Sequence, residues 1–320
     1  MELRHLRTFV AVAEQGTVTK AALRLHIAQP ALSRQIKDLE RELGVLLFDR
    51  IHARLRLTDS GSELLSHCRG ILTAVDALSE RAQFLQRPDS GVLRVGATAQ
   101  MIDGVFSSFI HRFARIRPNV RIELIEAVGG DLLAALERGD AHLAISGTRL
   151  IQAAGHPFSV FPLPPVGFLA ASASLPFGNK RLVEISRLGS RPLLLLDTTF
   201  FFRRTFDAAC RLAGFQPQIL IESRTPHALL SLAEAGHGIA IVASILPTHR
   251  YRLQISRLSH GGKPLQEPFA VLWDKRRALP PFAMDLCREL AAHMREAPST
   301  NAALKNPLTA GQKKPRAKAR

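Results

Sequence analysis

The chain has 320 residues, 46% of them hydrophobic and 22% charged, which suits two or three domains with sizeable cores and excludes a disordered polypeptide. Its formal net charge of +16 points to a polyanionic partner rather than an acidic substrate. Cys68, Cys210 and Cys287 form no C-x-x-C pair, the N-terminus carries dispersed charges instead of a leader pattern, and no apolar run is long enough for a bilayer. The expectation is therefore a reduced, cytoplasmic protein with no disulfide framework, no metal site and no membrane partner.

Leu6, Phe9, Val10 and Ala13 mark a first amphipathic helix that Gly16 ends. Thr17 fits the N-cap of a second helix, whose buried side is Val18, Ala21, Ala22 and Leu25. A third helix follows in IAQPALSRQIKDLERELG, where Leu32, Ile36, Leu39 and Leu43 fall on one stripe. Pro30 must lie in its first turn, where a missing N–H costs little, and Ala28 offers no side-chain cap. Gln29, Pro30, Ser33, Arg34 and Lys37 face outward at the N-terminal end, while Asp38, Glu40 and Glu42 farther along would repel phosphate. An anionic partner is met by the N-terminal end. Arg34 also has a plainer reading, as a surface residue paired with Asp38 at i+4.

Two short helices joined by a tight turn, the second with a polar N-terminal face, form the helix-turn-helix pattern whose second helix enters the DNA major groove. The alternation in RLRLT then predicts a short two-stranded wing, basic on its outer side.

The motifs A-A-x-x-L, A-Q-P-A-L-S-R-Q-I and L-E-x-E-L-G-x-x-L-F-x-R, followed by RLRLTDSG, closely resemble the N-terminal winged helix-turn-helix of LysR-type transcriptional regulators. That resemblance implies base and nearby backbone contacts from Gln29, Pro30, Ser33 and Arg34, and flanking contacts from Arg50 and the wing, including Arg54. A bidentate Arg34–guanine pair is worth about 1–3 kcal/mol of discrimination, whereas Lys20 and Lys37 on phosphates would only position the protein. The chain departs from the pattern at Ala28, where many relatives carry a Ser or Thr cap, and at Ala53, often basic in the wing.

A long helix begins at Asp59, with Thr58 or Asp59 as its cap. Leu64, Cys68, Ile71, Val75, Leu78, Ala82 and Leu85 make an a/d heptad seam along it. Such a seam exceeds what a sixty-residue domain can cover, so it suits pairing with a second copy; packing on the chain's own downstream domain is the alternative. A homodimer presents two recognition helices and prefers an interrupted palindrome in promoter DNA. The resemblance extends that to a homotetramer. RPDSG, residues 87–91, reads as a hinge.

From residue 92, LRVGA, VRIELIEAV and AHLAISG alternate with helices near 103–115 and 131–138, and PLLLLD, QILIES and GIAIVA with helices near 202–213 and 226–235. This is the βαβ signature of an α/β fold with mostly parallel sheets. The Pro-rich FPLPPVG separates the two sets, and AVLWD with a helix near 281–294 follows. The layout is similar to the periplasmic-binding-protein-like two-subdomain α/β effector domain of the same family. Expected boundaries are a winged helix-turn-helix over 1–58, a linker helix and hinge over 59–91, an effector domain over 92–295 and a disordered basic tail over 296–320. Within the effector domain, subdomain I takes about 92–162 plus 267–295 and subdomain II about 163–266.

Ligands in such folds bind beyond the C-terminal ends of strands, between subdomains. The candidates there are Thr98, Gln100, Gly129, Ser146, Thr198, Thr199, Phe202 and Ser223. The resemblance places a Ser or Thr at Gln100 and Gly129 in members that recognise small acids, and a small polar pair at Phe201 and Phe202. Here the phenylalanines either narrow the cleft for a bulkier effector or pack as core. No catalytic motif occurs, and His111, His142, His227 and His237 are scattered. The function expected is a sequence-specific DNA-binding regulator, not an enzyme, with no cofactor and a small-molecule effector of unknown identity. A solute-binding protein of the same effector fold is the alternative; the first sixty residues and the missing leader speak against it.

Overall fold

The computed structural model of the chain describes residues 1–51, 54–86, 88–148, 158–174 and 181–296. Ala53 and the basic tail after residue 296 lie outside the described residues. Contacts divide the chain into two units, residues 1–87 with 276–278, and the rest from 88 onward.

In the first unit, α1 (Leu3–Gln15) stops at Gly16, whose φ of 68° is the left-handed conformation that glycine adopts without a Cβ penalty. Thr17 caps α2 (Val18–Leu25), its hydroxyl oxygen accepting the Lys20 N–H at 3.3 Å. His26 closes α2 at φ 55° and turns the chain into α3 (Gln29–Leu43). Leu32, Ile36 and Leu39 are buried with Phe9, Val12, Ala21 and Ala22 in one core. The wing strands β1 (Phe48–Ile51) and β2 (Arg54–Leu57) pair antiparallel.

Thr58 begins α4 (Asp59–Gln86) by accepting the Gly61 N–H at 2.8 Å, while its own hydroxyl donates to the Leu46 carbonyl at 2.7 Å. At 28 residues and 1.5 Å per residue, α4 is about 42 Å long. Its seam splits. Cys68 joins the core of the unit and Leu64 packs against it, but Ile71, Leu78 and Leu85 are 42%, 71% and 70% exposed at seven-residue intervals.

The second unit builds one half from β3 (Gly91–Ala97), β4 (Val120–Glu126) and β5 (Leu143–Gly147), with α5 (Ala99–Met101), a π-helical turn (Ile102–Phe106), α6 (Ser107–Ile116) and α7 (Gly130–Arg138) between them. The other half comes from β8 (Pro192–Leu196), β9 (Gln218–Ser223) and β10 (Ile239–Ala243), with α8 (Phe201–Leu212) and α9 (Pro226–Glu234). β5 and β10 are buried throughout, as apolar runs covered on both faces should be.

β6 (Phe158–Ser172) and β13 (Gln266–Asp274) join the halves. The first part of β6 pairs antiparallel with β13, and its last part pairs antiparallel with β10 and with β11 (Gln254–His260). β7 (Leu182–Glu184) and β12 (Lys263–Pro264) flank β11, and α10 (Ala283–Glu296) ends the described chain. The sheet is accordingly more mixed than the βαβ pattern suggests, because both connecting strands run against their neighbours. FPLPPVG does not interrupt the strand. From Leu163 to Val166, β6 spends three steps against the two from Phe269 to Glu267, so the Pro164–Pro165 stretch sits in a bulge that needs no ladder N–H.

Candidate nucleic-acid interface and effector cleft

Lys20, Gln29, Pro30, Arg34 and Lys37 are exposed and Ser33 is half-buried on one end of α3 and the adjoining α2. Arg34 has no ion-pair partner among the described residues; Asp38 is taken instead by Arg41 at 3.0 Å. The acidic end of α3 is likewise occupied. The Glu40 carboxylate accepts the N–H groups of Leu47 at 2.9 Å and Phe48 at 3.3 Å, and Glu42 receives the N-terminal ammonium of Met1 at 2.8 Å. Thr8 donates to Gln35 Oε1 at 2.5 Å and so ties α1 to α3. Apart from the Asp38–Arg41 pair within α3, none of these contacts is visible in the sequence, since each joins α3 to a residue outside it. Ala28 provides no side-chain cap, so the first N–H groups of α3 keep their partial positive charge. Arg50 and Arg54 are placed by backbone alone, opposite Leu55 and Ile51 in the wing ladder.

In the second unit, Thr98, Gln100, Gly129, Ser146 and Phe202 come together around one cavity. Thr98 accepts the Met101 N–H at 3.4 Å and opens α5, while Gln100 and Ser146 are buried. Gly129 has φ 53°, and a Cβ there would lie 2.8 Å from the Thr199 carbonyl oxygen, so this position admits no hydroxyl side chain without strain. Phe202 serves both readings, since it lines the cavity and also stacks on Phe168 with ring centroids 3.7 Å apart. Thr198, Thr199 and Ser223 are not brought to the cavity wall. The Asp197 carboxylate accepts the Thr199 N–H at 3.0 Å, and Ser223 accepts the Thr225 N–H at 3.0 Å, so these groups shape turns.

The wall also contains residues that the strand-end rule missed: Gly147, Phe200, Phe201, Ile245, Glu267 and Phe269. The cavity volume is about 30 Å³, enough to admit water and far below the ~300 Å³ or more of a typical ligand pocket. Nearby, Arg203 is almost fully buried; burial disfavours its charge, but Glu222 and Asp207 outweigh that and hold its pKa above the ordinary value. His227 lies between the two halves, with Nε2 2.9 Å from Asp103 Oδ2 and Nδ1 2.8 Å from the Tyr251 hydroxyl, each within hydrogen-bond distance. Gly104 permits a similar close approach, because a Cβ there would meet the Ile245 carbonyl oxygen at 2.0 Å.

Among the described residues no cluster of His, Cys, Asp or Glu is arranged to hold a metal ion, and no helix is long and apolar enough to cross a membrane. Burial pushes the thiols of Cys210 and Cys287 up to about 12.

Residues 3–62 match the family model for the bacterial regulatory helix-turn-helix protein, lysR family, and residues 86–295 match that for the LysR substrate binding domain. The chain is 32% identical to the HTH-type transcriptional regulator AlsR of Bacillus subtilis over 246 residues, 76% of this chain and 81% of that one. Among solved structures it is similar to full-length CbnR complexed with its target DNA, at 25% identity and a TM-score of 0.62, covering 92% of this chain and 99% of that one. It also resembles a full-length OxyR variant from Pseudomonas aeruginosa, at 24% identity and a TM-score of 0.68, covering 92% and 95%. Both family models match in sequence order, the second over more than half of the chain, and the chain belongs to the LysR family of transcriptional regulators.

Proposed function

We propose that this regulator holds promoter DNA at an interrupted palindrome through paired copies of α3, and that a small molecule in the cavity of the second unit alters that grip. The observation that carries the reading is the N-terminal end of α3, where exposed Gln29 and Arg34 have no side-chain partner among the described residues while the acids farther along are bound within the chain. Gln29, Pro30, Ser33 and Arg34 contact base edges and adjacent backbone; Lys20 and Lys37 contact phosphates, and Arg50 and Arg54 of the wing reach the flanks. Residues 1–58 bind DNA, 59–91 join subunits, 92–295 bind the effector and 296–320 form a basic tail.

The exposed stripe of Ile71, Leu78 and Leu85 supports a homodimer, which assembles further into a homotetramer. Thr98, Gln100, Gly129, Ser146 and Phe202 contact the effector. Thiol chemistry is not the signal, because the three cysteines are buried and the thiol pKa is raised at each. The protein works in the cytoplasm and without catalysis.

Fluorescence anisotropy with the DNA upstream of the protein's own gene tests the reading. Binding should exceed that to a scrambled duplex at every salt concentration and weaken steeply as salt rises, as phosphate neutralisation requires. Equal affinity for the two duplexes would overturn it.

A further inference from the structure

At about 30 Å³ the cavity is too small for an effector of ordinary size, so one enters only if the two halves of the second unit part. A polar contact bridges those halves. Asp103 stands in the π-helical turn Ile102–Phe106, directly after the stretch that supplies Thr98 and Gln100 to the cavity wall. His227, in the first turn of α9, has Nε2 2.9 Å from Asp103 Oδ2 and Nδ1 2.8 Å from the Tyr251 hydroxyl, and both contacts are part-buried. Arg250 adds a guanidinium 3.7 Å from Asp103 Oδ1.

We propose that Asp103 and His227 form a clasp that holds the effector cleft shut and gates entry to the cavity. The inference rests on the cleft being the effector site and names the device that regulates it. The clasp is built from the segments that carry the cavity walls: the π-helical turn continues from Thr98 and Gln100 in one half, and Arg250 and Tyr251 follow Ala243 and Ile245 in the other. Breaking it releases both walls together. The backbones beside it are fitted to meet, since a Cβ on Gly104 would lie 2.0 Å from the Ile245 carbonyl oxygen. A π-helical turn also interrupts the regular helical ladder, a feature concentrated at functional sites. A part-buried hydrogen bond suits a gate, because its net contribution is small beside that of a whole domain and it can open while the core strands stay folded.

Hydrogen–deuterium exchange of the full-length protein, compared in Asp103→Ala, His227→Ala and the double variant, tests the clasp. Each single variant should raise exchange in residues 98–107 and 244–251 roughly three- to tenfold, the effect of one net hydrogen bond, while β5 and β10 keep their protection. The double variant should exchange no faster than the more affected single one, because both substitutions remove the same contact. The same variants should take up anilinonaphthalene sulfonate, which reports exposed apolar surface, above the level of the unaltered protein. Unchanged exchange in either single variant, effects that multiply in the double one, a rise shared equally by β5 and β10, or unchanged dye uptake would each overturn the clasp. Should an alanine variant lose its cooperative thermal melt, Tyr251→Phe, which removes one hydroxyl, decides by the same exchange in the two cleft segments. Equal affinity of the unaltered protein for specific and scrambled duplexes would instead strike the regulator reading and leave the exchange result standing.

Discussion

Arg203 keeps its charge at 5% exposure because its guanidinium reaches the Leu196 carbonyl at 2.7 Å, Asp207 at 2.9 Å and Glu222, fastening α8 to the ends of β8 and β9. Removing it leaves those acceptors in a partly buried site without their cation. Arg203→Ala is expected to lower stability by about 3 kcal/mol in urea denaturation, the cost of breaking a buried pair on one side; a loss under about 0.5 kcal/mol, the usual range for a surface substitution, would contradict that role. Residues whose partners are close in sequence were the legible ones. Thr17 is the cap its position suggests, and of Thr58 and Asp59 it is Thr58 that caps α4, since each threonine bonds an N–H three residues on. Asp103 and His227 are 124 positions apart, and Glu267 points inward beside a bulge that lies about a hundred residues upstream, so no local pattern announces either. The strand-end rule found Thr98, Gln100, Gly129, Ser146 and Phe202 at the cavity, but it also nominated Thr198, Thr199 and Ser223, whose neighbours engage them in turns.

At the scale of elements, α4 packs its N-terminal turn so closely on the segment before the wing that Gly61 has no room for a methyl group, with the Leu47 carbonyl oxygen 2.2 Å from the position a Cβ would take. Gly61→Ala would ordinarily favour a helix, yet here it must push backbone aside. Its expected effect is a loss of about 1–3 kcal/mol, read as a lower thermal midpoint, and a midpoint at or above the original would contradict the packing. Farther along, the a/d spacing showed in the sequence, but only the structure divides the seam into a part that packs within the unit and a part left uncovered. Leu78→Asp places a charge in the uncovered part and should shift sedimentation equilibrium toward monomer; an unchanged mass would exclude this stripe as the subunit contact. The three prolines of FPLPPVG mark the passage between the two sets of elements, and β6 accommodates Pro164 and Pro165 by bulging as it passes from one set of partners to the other.

For the whole molecule, a charge of +16 sets affinity for polyanions but not preference among them, since any Lys or Arg can neutralise phosphate. Preference must come from a few groups placed against base edges, and the proposed groups are those at the N-terminal end of α3. Arg34 and Arg41 separate the two contributions, being charges on one helix, both exposed, of which Arg41 is paired with Asp38 near the C-terminal end. The decisive measurement is the affinity of Arg34→Ala and Arg41→Ala for the upstream DNA and for a scrambled duplex at one salt concentration. Arg34→Ala should lose about 1–3 kcal/mol on the specific duplex and little on the scrambled one, so that preference collapses while Arg41→Ala retains it. Equal preference in Arg34→Ala and the unaltered protein would show that Arg34 does not read bases.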